Sequence, residues 1–203
     1  MLERATGRPL EAFLRARLFD PLGMVDTAFS VRAGSHSRFT TAYAPDEAGG
    51  LRLLDPPVGG WWNEPPAMAN ASGMLVSTLD DVWAFVRMLL AGGTRDDGEH
   101  VLSRASVAAM TRDHLTAQQR ESARLFLGAH GGWGYGMGAP GPIHGEPPIP
   151  WGFGWNGGTG TTWRSDPVRG LTTILLTQRA MTSPAPPGLF KVFWEAAYAA
   201  IAP

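Results

Sequence analysis

The chain has 203 residues, a net charge of −1 and 17% charged residues, enough length for one domain with a buried core but neither a basic stripe for nucleic acid nor an acidic tail. No apolar run reaches bilayer-spanning length and MLERATGRPL lacks a signal peptide's apolar centre, so the expectation is a soluble chain, cytoplasmic as given, without a membrane span. The absence of cysteine excludes disulfides, thiolate metal sites and a cysteine nucleophile, and every lysine-dependent mechanism must pass through the single lysine, Lys191.

In chain order, RPLEAFLRARLFDPLGM predicts a helix opened by Pro9 at its first position, with Leu10, Phe13, Leu14 and Leu18 on one face and Asp20-Pro21 as its stop. The Gly/Pro-rich stretch from Gly34 to Pro66 reads as loop. STLDDVWAFVRMLLAGG then gives the clearest helix. Thr78 and Asp81 form a capping-box pattern, Leu79, Val82, Phe85, Val86, Leu89 and Leu90 make a buried stripe, and Gly92 closes it. A shorter helix begins near Ser103 and carries Val107 and Met110. Beyond it GGWGYGM is strand-like and GPIHGEPPIP is a loop. TGTTWRS and LTTILLTQ, joined by Asp166 to Gly170, predict adjacent antiparallel strands at 160–165 and 171–177. GLFKVFWEAAYAAI predicts a C-terminal helix packed on a sheet. No repeat or linker divides the chain, which reads as one domain: a helical and loop part over about 1–130 and a sheet with its helix over about 131–203.

The residues that carry chemistry centre on GWNGGTGTTWRSDP, from Gly154 to Pro167. A phosphate loop would need a lysine nearby and a helix after the glycines; here a strand follows and no lysine is close. GMGAPG has dinucleotide spacing, but Pro140 and the missing helix make it a chance match. The five histidines, His36, His100, His114, His130 and His144, show no metal-ligand spacing and read as surface residues. His144 with Glu146 suits a pocket rim or a plain loop. A G-x-S-x-G nucleophile elbow is absent; Ser72, in NASGM, reads as a turn residue. Trp61 and Trp62 suit either the wall of a cleft or a plug under a long loop.

Four segments occurring in order, ATGRPLEAFLRARLFDPLGMVDTAF, ANASGMLVSTLDDVWAFVRMLLAGG, GWGYGMG and GWNGGTGTTWRSDPVRGLTTILLTQ, together resemble the β-lactamase-related serine hydrolases. That family includes class C β-lactamases, D-alanyl-D-alanine carboxypeptidases and β-lactamase-fold esterases. The resemblance implies an α/β (α+β) fold of the β-lactamase/transpeptidase type, an antiparallel sheet flanked by helices beside a helical subdomain. It implies an acyl-serine mechanism on a small-molecule ester or amide, with no metal and no cofactor. It also places Trp155, Asn156 and Gly157 at the family's [Lys/His/Trp]-x-Gly motif, in the esterase-like variant with tryptophan for lysine. Gly158 would then offer its N–H to an oxyanion, minimal side-chain bulk being required there, and Trp61 or Trp62 would share the concavity.

The sequence departs from the family at the nucleophile and base. No serine lies three residues before Lys191, where Gly188 stands, and Tyr43, Tyr135 and Tyr198 head YAP, YGM and YAA rather than Tyr-x-Asn. In the family both motifs precede the TGRPLEAFL helix, so the chain reads as an N-terminally truncated, C-terminal part of the fold. A late-assigned start, a truncated gene and a non-catalytic, ligand-binding remnant all fit that reading. Substrate and oligomeric state stay open at this level.

Overall fold

Helix α1 (Leu2–Thr6) and helix α2 (Leu10–Leu14) open the chain, and α2 runs on through a π turn (Arg15–Phe19) into α3 (Asp20–Leu22). The computed structural model describes residues 1–70, 72–142 and 148–201, so the expected rim pair His144 and Glu146 lies outside the described residues. Pro9 is the residue before α2 rather than its first helical position. Asp20-Pro21 does not stop the helix either. The π turn has the Asp20 N–H bonding the Arg15 carbonyl, a wider spacing that accommodates a proline with no N–H to donate, and Gly23 at φ 68 ends the run instead.

Contacts divide the chain into two compact units, Met1–Arg104 and Ala105–Pro203. In the first, β1 (Ala42–Pro45) and β2 (Leu51–Asp55) form an antiparallel pair inside the stretch expected to be loop. Their turn is set by Asp46, whose Oδ1 accepts from the N–H groups of Ala48 and Gly50. Leu51 and Leu53 are exposed, so the pair carries no inward apolar alternation for sequence reasoning to detect.

Helix α4 (Leu79–Leu90) is where it was expected, but its cap is half a box. Thr78 Oγ1 accepts from the Asp81 N–H at 3.2 Å. The buried Asp81 carboxylate turns away to accept from the Asp26 N–H at 2.9 Å and the Thr27 hydroxyl at 2.7 Å, tying the helix start to the loop after α3. Val86, Met88 and Leu89 are buried, whereas Leu79 and Leu90, expected in the stripe, are exposed.

The second unit begins with most of α5 (Arg104–Met110), then α6 (Ala117–Ser122) and α7 (Arg124–Leu127). The α6 start is a full capping box between Thr116 and Gln119. Strands β3 (Gly131–Trp133), β4 (Gly138–Pro140), β5 (Phe153–Gly157), β6 (Thr161–Asp166) and β7 (Leu171–Leu176) form one antiparallel sheet in that order, and α8 (Gly188–Ala199) follows. The β6–β7 hairpin thus appears where the alternation put it. Phe190, Trp194 and Tyr198 are the buried face of α8.

Two polar clusters hold this unit together. The Asp113 carboxylate accepts from Arg120 Nη2 at 2.5 Å and from the backbone N–H groups of Leu115 and Trp133. Burial pushes its pKa upward, but the Arg120 hydrogen bond and the two backbone donors together prevail, leaving it below 3.8. A depressed carboxylate pKa contributes stability that is present above the unfolded value and lost as pH falls through the folded value. Asp113→Asn is therefore expected to cost about 2–3 kcal/mol at neutral pH in urea unfolding and to flatten the stability loss below about pH 4. An unchanged acid limb would refute this assignment.

At the other cluster the buried Asp166 carboxylate accepts from the Val168 and Arg169 N–H groups, from the Arg169 guanidinium, and from the Tyr198 hydroxyl at 2.8 Å. Tyr198 in turn accepts from the Trp151 N–H at 3.0 Å. Burial, then its bond to Asp166, pushes the Tyr198 pKa up to about 12, so the phenol keeps its proton and remains the donor. Tyr198→Phe removes both bonds, and a loss of about 1–3 kcal/mol in chemical denaturation is expected; a loss indistinguishable from zero would show that the α8 anchor is apolar packing alone.

Candidate functional site

The Gly-rich stretch from Gly154 to Pro167 is the β5–β6 hairpin, in register as Phe153↔Ser165, Trp155↔Trp163 and Gly157↔Thr161. Its turn is locked by backbone bonds: the Gly160 N–H donates to the Gly157 carbonyl, and the Thr177 N–H and hydroxyl donate to the Gly160 carbonyl. Gly160 has φ +93, and a Cβ there would sit 2.0 Å from the Arg179 carbonyl oxygen, so this position demands glycine. Strand β4 pairs with β5 only at Gly138↔Gly154. Trp155 to Gly157 are therefore left, among the described residues, without a β4 partner along that edge.

A cavity of about 370 Å³ opens beside this edge. Phe126, Trp155, Met181 and Pro184 give it apolar walls. Asn156, Thr182, Ser183 and the exposed Gly158 supply its polar groups. The Trp155 ring stands edge-on against Trp133, with centroids 4.5 Å apart and an interplanar angle of 84°, a packing that fixes its orientation. Asn156 Oδ1 accepts from the Thr162 hydroxyl at 2.8 Å, which leaves Nδ2 as the amide's remaining donor.

The Gly158 carbonyl accepts from the Met181 N–H at 2.8 Å, while its own N–H meets no acceptor among the described residues. A Cβ at Gly158 would meet nothing within 4 Å. The expectation that minimal side-chain bulk is required here is therefore corrected: among the described residues there is room for a methyl.

Behind the edge lies a row that sequence reasoning did not single out as functional. Gly138, Gly154, Arg164 and Thr173 are cross-strand partners over β4 to β7. The two glycines free a strip of the sheet face along which the Arg164 side chain reaches, its Nη1 donating to the Gly154 carbonyl at 3.1 Å and lying 2.9 Å from where a Gly138 Cβ would be. Arg164 Nε is buried without an acceptor among the described residues, and burial lowers the Arg164 pKa to about 10, a value that still leaves it charged at neutral pH.

Trp61 and Trp62 lie in the first unit. Trp61 is 69% exposed, so it is not a core plug. Its ring is 6.1 Å from that of Trp62, whose other neighbour is Phe39 at 6.4 Å. The buried Asp55 carboxylate accepts from the Trp61 N–H at 2.7 Å. Ser72 is in a turn, its N–H bonded to Asn70 Oδ1. Among the described residues no group of three His, Asp or Glu side chains is placed to hold a metal ion, and no helix is long and apolar enough to cross a membrane.

Phe126, Met181, Thr182, Ser183 and Pro184 escaped the sequence reading. The capping box at Thr116 was the available signal for the helices that present Phe126. The segment 181–184 is irregular, and nothing in its composition distinguishes it from any surface loop.

A five-stranded antiparallel sheet with helices and a cavity at its Gly-rich hairpin is the architecture of a β-lactamase/transpeptidase-like protein. The Beta-lactamase family model matches residues 1–192, and the chain belongs to that family. It is 39% identical over 189 residues to Protein Rv1367c of Mycobacterium tuberculosis, covering 88% of this chain and 45% of that one. To Penicillin-binding protein 4 of Amycolatopsis lactamdurans it is 31% identical over 192 residues, covering 87% and 43%. A LovD6 mutant of simvastatin synthase from Aspergillus terreus shares the fold with a TM-score of 0.79 at 22% identity, covering 98% of this chain and 52% of that one. The D-stereospecific amidohydrolase from Streptomyces sp. shares it with a TM-score of 0.62 at 18% identity, covering 98% and 51%. The chain thus spans about half the length of the relatives it matches.

Proposed function

We propose that this chain supplies the substrate-binding edge and one oxyanion donor of a β-lactamase-related serine hydrolase, an esterase-like enzyme that cleaves an ester or amide through an acyl-serine intermediate. The observation that carries the reading is the Gly158 N–H at the rim of the Trp155 cavity, which meets no acceptor among the described residues, its own peptide held by the Gly160 N–H on the Gly157 carbonyl and the next one by the Met181 N–H on the Gly158 carbonyl. When a serine oxygen attacks a carbonyl, negative charge develops on the carbonyl oxygen, and a fixed N–H donor aimed at that oxygen stabilises the transition state more than the ground state. Trp155 and Asn156 would hold the substrate against the edge, and Gly157 would set the turn into the donor.

Neither Ser-x-x-Lys nor Tyr-x-Asn occurs in these 203 residues, and this favours a second reading: a ligand-binding domain of the same fold that performs no chemistry. The two readings separate in one assay. A chain extended upstream in frame to include both motifs should hydrolyse p-nitrophenyl butyrate, whereas the 203 residues alone should not. Silence from an extended chain that contains both motifs would leave only the binding reading.

A further inference from the structure

We infer that the Trp155 cavity is built for a neutral, apolar acyl chain and discriminates against substrates whose acyl chain ends in a carboxylate. The inference rests on the reading of the β5–β6 edge as substrate-binding and adds the substrate class. Among the described residues, none that lines the cavity carries an ionisable side chain. Its walls are two aromatic rings, a thioether and a proline, a surface that gains free energy only from apolar contact. Phe126 is 52% exposed at its edge, so apolar area remains for a ligand to cover.

The polar groups are neutral. The Gly158 N–H and the Asn156 Nδ2, which meets no acceptor among the described residues, suit a carbonyl oxygen, and the Thr182 and Ser183 hydroxyls carry no charge to match an anion. A ligand carboxylate pressed against the Phe126, Met181 and Pro184 walls would lose part of its hydration without meeting a cation among the described lining residues, which costs free energy. The chain's one lysine, Lys191, is not among the lining residues. The volume of about 370 Å³ falls within the range of small-molecule pockets.

The test uses two probes with the same ester group, methyl octanoate and monomethyl suberate, which differ only in whether the far end of the chain is a methyl or a carboxylate. Each is titrated into the 203-residue chain while the Met181 methyl and Trp155 indole resonances are followed, assigned through Met181→Leu and Trp155→Phe. Methyl octanoate should shift both signals saturably, and monomethyl suberate should bind about tenfold more weakly or worse. Phe126→Ser should weaken methyl octanoate by about threefold or more and leave monomethyl suberate where it was. Equal or tighter binding of monomethyl suberate overturns the apolar-chain inference while leaving the edge as a binding site. Failure of both esters to move either signal overturns the inference together with the substrate-binding role of the edge.

Discussion

Gly158→Pro, placed in a form of the protein that also carries the Ser-x-x-Lys serine, is expected to lower kcat by about 10²–10³-fold, the usual cost of losing one oxyanion donor. Proline deletes the N–H and adds a ring where a Cβ finds nothing within 4 Å and where φ lies outside the left-handed region. Gly158→Ala is the matched control, because it adds a methyl in open space and keeps the donor; its kcat should stay within about threefold of the parent. The loss in Gly158→Pro should fall on kcat far more than on KM, since the donor meets full negative charge only in the transition state. Thermal melts of the two variants establish that both are folded before rates are compared. Equal rates for the proline and alanine variants would remove Gly158 from the oxyanion site.

The hairpin and its cavity were legible in unequal measure. Thr161 to Asp166 and Leu171 to Leu176 are half-buried strands separated by an Asp-Pro turn, and the period-two pattern with turn chemistry located them to within a residue. Helix α4 was equally plain from its apolar spacing, although which leucines were buried was not: exposure of Leu79 and Leu90 depends on what the helix packs against. The β1–β2 pair was missed because its leucines face solvent, and Pro21 was misread because a π turn has no sequence signature that separates it from α-helix. At the site, glycine at 158 suggested a steric requirement, and only the backbone bonding pattern shows that the requirement falls on Gly160 instead. The cavity wall at 181–184 and the Arg164 row depend on contacts between segments distant in sequence, beyond the reach of local pattern.

The largest effect expected concerns turnover itself. An oxyanion donor acts only after a nucleophile has attacked, and removing a triad-type nucleophile costs on the order of a million-fold in rate. No serine in the 203 residues has a lysine three positions later, and Ser183, the serine at the cavity, accepts from the Ala185 N–H at 3.3 Å, with no base among its bonded partners in the described residues. The isolated chain should therefore show neither a burst nor steady hydrolysis of p-nitrophenyl acetate, p-nitrophenyl butyrate or a chromogenic cephalosporin. The most direct measurement is labelling with a serine-directed fluorophosphonate, read by intact mass and mapped by peptide sequencing. No adduct is expected on the 203-residue chain, and one adduct, on the serine of Ser-x-x-Lys, is expected in an extended chain that contains that motif. A stoichiometric adduct on any serine of the 203-residue chain would contradict this, because the nucleophile would then lie within these 203 residues.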